Sequence, residues 1–131
     1  MSNWRNYLGL PHEFGADPAD GVAADCVIMT WHVLQAAGVY CPPLDSTWFD
    51  MAKAGKADEL VRIYKRLTYE VDEPEEYAVT LFDNGESGLG MGVVVDGGLL
   101  MVHHRRGVCW LPIRLLKKLR YRRFSNEDAA V

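Results

Sequence analysis

The sequence predicts an α+β domain. Apolar residues follow helical spacing in the first half of the chain, and short β-branched runs separated by glycine turns follow in the second. One stretch organises the rest. Gly21-Val22-Ala23-Ala24-Asp25-Cys26-Val27-Ile28-Met29-Thr30-Trp31-His32-Val33-Leu34-Gln35-Ala36-Ala37-Gly38 reads as a loop running into a buried helix. Asp25 is an N-cap by residue type, because its carboxylate can accept from first-turn N–H groups. Gly38 suits the left-handed position that ends a helix. Val27, Trp31 and Leu34 form one stripe, while Ile28, Met29, Val33 and Ala36 cover much of the remainder, which places the helix inside the fold. Cys26 falls in its first turn, where the helix N-terminus favours thiolate. The ordinary reading of such a cysteine is a small buried hydrophobe.

In chain order, Asn3–Leu10 reads as a short helix closed by Gly9, and Pro11–Gly21 as a loop. Ser46 is a candidate N-cap for a helix over Thr47–Ala52. After Gly55 a second helical pattern runs through Leu60, Val61, Ile63, Tyr64 and Leu67, ending in the charged turn Asp72–Glu76. Strands are expected at Tyr77–Phe82, Met91–Val95, Leu99–His103 and Gly107–Leu111, with a tight hairpin at Asp96-Gly97-Gly98. Pro112 opens a short helix, Ile113–Leu119, and Arg120–Phe124 is expected as an edge strand. The expected organisation is one domain over 1–124 with a frayed tail at 125–131.

The 131 residues suffice for one core. No apolar run approaches the roughly 20 residues of a membrane span, and no secretory signal is apparent. Cys26, Cys41 and Cys109 are an odd count without CxxC spacing, so neither a disulfide framework nor a metal site is expected. No cofactor motif is present. Net charge is −4 but uneven: residues 1–104 hold 6 Lys/Arg against 16 Asp/Glu, and residues 105–131 hold 8 against 2. The basic set is either a solvated face pairing with the acidic body or a docking surface for an anionic partner. The acidity of the whole chain argues against specific nucleic-acid binding.

Four motifs in this order resemble the NlpC family of papain-like cell-wall peptidases, especially small versions carried in phage tails. Leu10-Pro11-His12-Glu13-Phe14-Gly15 is similar to the family's aromatic–glycine loop. Gly21–Met29 is similar to its nucleophile motif, Glu73–Phe82 to its first strand, and Gly90–Leu100 to its histidine strand. The resemblance covers roughly 4–124. It implies a papain-like fold, N-terminal helices packed on an antiparallel β-meander, with Cys26 as nucleophile. A strand histidine would be the base, and a polar residue on the next strand would orient it.

The register puts Gly90 at the catalytic histidine position, with Met91 one residue away, and glycine moves no proton. His103 is the candidate displaced base. His104 and His12 are further candidates, and His32 is expected to face away. Three functions follow from the resemblance. The first is a phage tail protein whose degenerate peptidase fold serves assembly, made in the host cytoplasm and carried in the virion. It would bind other tail proteins through the basic C-terminal segment, with peptidoglycan as a further partner and no membrane. The second is an active endopeptidase or amidase cutting peptidoglycan stem peptides with Cys26 and His103. The third is a host-derived papain-like fold with an acyltransfer or toxin role.

Overall fold

The computed structural model describes residues 3–44, 50–51, 54–85 and 88–125. Among the described residues, the helices α1 (Cys26–Ala36) and α2 (Ala57–Leu67) accompany six strands: β1 (Thr68–Val71), β2 (Val79–Asp83), β3 (Leu89–Val95), β4 (Gly98–His103), β5 (Gly107–Pro112) and β6 (Tyr121–Phe124). The strands form one antiparallel sheet in the order β1-β6-β2-β3-β4-β5. The chain is therefore α+β, with β2 to β5 a simple meander. The helix expected over 47–52 lies mostly outside the described residues.

α1 forms where Asp25 caps it. One carboxylate oxygen accepts from Val27 N at 2.8 Å and Ile28 N at 3.3 Å. Eight of its eleven residues are buried, and only its last turn is exposed. Gly38, at φ 74°, takes the left-handed position just beyond it. Trp31 donates from Nε1 to Pro42 O at 2.6 Å and packs edge-on to Phe124.

Strand alternation divides the sheet's two faces. Met91, Val93 and Val95 of β3, Leu100 and Val102 of β4, and Val79 of β2 pack in one cluster with Cys26, Met29 and Leu34 of α1. Val94, Leu99 and Met101 point to the opposite face. The connection from β5 to β6 covers that face with Ile113, Leu116 and Leu119. The helix expected over 113–119 is reduced to a 3₁₀ turn at Ile113–Leu115, because these apolar residues must lie flat on the sheet rather than share one helical stripe.

The last strand is not at the edge. β6 lies between β1 and β2, with Thr68 opposite Phe124 and Val79 opposite Arg122. The edge belongs to β1, a strand not expected from the sequence. α2 passes into it without a turn: Thr68 adopts φ −131°, ψ 165° while its hydroxyl donates back to Tyr64 O at 2.7 Å. Ser125, expected in a frayed tail, donates from its N–H to Leu67 O at 2.9 Å. Residues 126–131 lie outside the described residues. The N-terminal segment contributes a 3₁₀ turn, Trp4–Tyr7, and hydrogen bonds joining Gly9 and Leu10 to Val108 of the other edge strand.

Candidate functional site

Cys26 is the first residue of α1, as the capping pattern predicts. Around it the chain builds a narrow, mostly apolar cleft. The loop 11–16 lies alongside 24–25: Ala24 N donates to Pro11 O, Glu13 N to Ala24 O, and Asp25 N to Ala16 O, at 2.9–3.1 Å. Asp25 is 1% exposed. Its second carboxylate oxygen accepts from Gly15 N at 2.8 Å, so one side chain ties the loop to the helix. Phe14, Leu60, Leu81, Leu89 and Met91 line the cleft, whose open volume of about 10 Å³ barely admits one water.

The thiol faces β3. Met91 N donates to Cys26 Sγ at 3.4 Å, and the Met91 side chain, 1% exposed, packs in the same cluster. Burial first, and then the neighbouring Asp25 charge, push the thiol up to about 12. The N–H groups of Met91 and Val27 oppose this without offsetting it. The thiolate expected from the helix terminus is therefore corrected: desolvation outweighs the dipole here.

No histidine is hydrogen-bonded to the thiol among the described residues, where its partner is Met91 N. His103 ends β4 on the face opposite Val102, whereas Val102 shares the cluster with Cys26. Its Nδ1 accepts from Arg105 N at 3.1 Å and Arg106 N at 3.2 Å, so the ring closes the β4–β5 turn and stacks on His104. The pairing of Cys26 with His103 expected from the sequence does not form, because alternation and the turn send the imidazole the other way. Gly90 likewise does not direct a side chain at the thiol. A Cβ there would meet the Phe82 ring at 2.6 Å and Asn84 Cβ at 3.2 Å, on the face away from α1. Met91 is the strand residue facing Cys26.

Of the remaining histidines, His32 and His12 have side-chain partners, whereas the His104 ring stacks on His103 and its buried Nδ1 has no hydrogen-bond partner among the described residues. His32 Nε2 lies 2.8 Å from Asp17 Oδ1, joining α1 to the 3₁₀ turn Pro18–Asp20. His12 bridges to Ala24 and stands edge-on to Phe14. Burial lowers its pKa, the Asp25 charge raises it, and His104 lowers it. His104 is held by Asn84, a residue the sequence reading left in a polar loop. Asn84 is buried, donates to Val102 O at 2.9 Å and accepts from His104 N at 3.2 Å. The only sequence signal for it is that Asp83-Asn84-Gly85 suits a turn following a strand. Cys41 and Cys109 are half-buried free thiols packed against the two clusters, and burial raises both. No group of His, Cys, Asp and Glu suited to a metal ion occurs among the described residues.

The three arginines at the end of the basic segment are spent within the fold. Arg122 donates from Nε to Thr68 Oγ1 at 2.6 Å and from Nη2 to Thr68 O at 3.0 Å. Arg123 reaches Glu75 and Glu76 O, and Arg120 reaches Glu70. Comparison with known proteins finds no matching family model, curated protein or solved structure.

Proposed function

We propose that this chain is a degenerate NlpC-like domain acting as a non-catalytic assembly module of a phage tail. The observation supporting loss of catalysis is the state of Cys26. Its thiol is neutral, 7% exposed, and bonded to the Met91 N–H where a peptidase of that type would present a histidine. A nucleophile needs a partner base within hydrogen-bond reach and room for an acyl group. The Cys26 cleft has neither. The alternative, an active endopeptidase using His103, has against it that His103 lies on the other face of the sheet. The tail assignment rests on the motif resemblance alone. For docking, the basic segment offers Arg114, Lys117 and Lys118, which are exposed around the 60% exposed Leu115.

The test is complementation of a phage lacking this gene. Cys26→Ser should restore infectivity fully, and reversal of Arg114, Lys117 and Lys118 to Glu should not. Purified protein that solubilises peptidoglycan, and loses that activity as Cys26→Ser, would sink the proposal.

A further inference from the structure

A second cavity is far larger than the Cys26 cleft. It opens between α2 and the sheet, where β6 stops pairing with β2, and has a volume of about 450 Å³, within the range of small-ligand sites. Its inner wall is apolar and half-buried: Val61, Leu81, Phe82 and Leu89, with the buried Tyr64 beside them. Leu81 and Leu89 also line the Cys26 cleft, so they form the partition between the two.

Charge at the mouth is unbalanced. Of the anions, Glu70 is engaged by Arg120 at 3.3 Å, and Asp83 Oδ1 accepts from Gly85 N at 3.0 Å. Of the cations, Arg122 is immobilised by its Nε and Nη2 bonds to Thr68 and Lys65 O, with its guanidinium carbon 5.9 Å from the Tyr64 ring centre. Its Nη1 has no acceptor among the described residues. Lys65, in the last turn of α2, has no ion pair among them. A fixed guanidinium with its Nη1 to spare and a second, exposed cation thus stand over an apolar wall. That combination fits an apolar body carrying one carboxylate.

We infer that this cavity is a binding site for a small amphipathic carboxylate, its aryl or alkyl body against Leu81, Phe82 and Leu89 and its carboxylate toward Arg122 Nη1 and Lys65. The site is independent of the state of Cys26 and of the assembly role proposed above. The apolar wall supplies affinity, and the cations select acid over amide.

The experiment titrates the full-length protein with 4-phenylbutyrate and with its neutral amide, followed by amide chemical shifts and calorimetry. The acid should bind with a Kd of roughly 1 mM or tighter, as a ligand of that size can. The amide should bind about tenfold more weakly, the order expected for one charged hydrogen bond. Lys65→Glu, a change at an exposed position, should weaken the acid and leave the amide unchanged. Val61→Trp should fill the cavity and remove both. Absence of binding by either probe would overturn the inference. So would equal affinity for acid and amide, or binding insensitive to both substitutions. Should Val61→Trp fail to fold, Lys65→Glu and the acid–amide pair still decide the matter.

Discussion

The backbone N–H of Met91 donates to Sγ of Cys26 across 65 residues of sequence, joining the first turn of α1 to the start of β3. The bond uses the cysteine sulfur as an acceptor, which by itself favours thiolate, but burial outweighs it and Cys26 stays a thiol. This is a packing contact at the position where the motif pattern would place proton transfer.

Cys26 should therefore alkylate slowly. With the thiol pushed up to about 12, the iodoacetamide rate should still be climbing at the highest pH at which the protein remains folded. A labelling midpoint below neutral would contradict this.

A histidine restores a base only if it faces the thiol. Gly90→His would force its Cβ into the Phe82 ring, so it should lower stability and leave Cys26 labelling unchanged. Met91→His puts the imidazole on the α1 face and should accelerate labelling between pH 6 and 8, at a cost of ~1–3 kcal/mol for burying a polar ring. Both follow from thermal unfolding and labelling of the same samples. Faster labelling in Gly90→His alone would show that the strand faces are assigned the wrong way round.

Arg122 and Arg120 should differ sharply, although both are arginines of one basic run. Arg122→Ala leaves Thr68 Oγ1 and two carbonyls without their charged donor and should cost ~1–3 kcal/mol. Arg120, whose side chain is 84% exposed, should cost ~0–1 kcal/mol. The read-out is the unfolding midpoint of each single variant. Equal midpoints would mean that Arg122 is not part of the body of the fold.

His12 gives a pH signature. Burial lowers its pKa below the ordinary 6.5, so the unfolded chain binds its proton first. Its contribution to stability is present above 6.5 and is lost as pH falls through the lowered folded value. His12→Gln should therefore be less sensitive than the parent to acidification from pH 7 toward 5. Parallel stability profiles for the two proteins would show that burial does not perturb His12.

Much of the scaffold is legible in local chemistry. Asp25 and Gly38 bracket α1 because capping depends on residues within a turn of the helix end. The Asp96-Gly97 turn and the β-branched runs mark β3 and β4 for the same reason. β1 is not legible: Thr68–Val71 follows Leu67 with no glycine or proline between, and its strand conformation depends on pairing with residues fifty or more positions later. The position of β6 was missed along with it. At the site, the sequence identifies Cys26 but not what it meets. Whether Gly90 or Met91 faces the thiol turns on a one-residue register, which flips the whole strand. The burial that sets the thiol's charge state comes from Phe14, Leu60 and Leu81, which no local motif connects to it.

The position of β6 also dictates an order of events during synthesis. The strand last in the chain is second in the sheet, flanked by β1 and β2. Until Tyr121–Phe124 has been made, the β2–β5 meander and the α2–β1 unit lack the strand that joins them, and β2 presents an open edge. Pairing that closes over such sequence separations is slow and leaves intermediates prone to association. A nascent chain stalled before Tyr121 would therefore expose a template for a second copy, and the closing strand decides whether the newborn protein stays solitary.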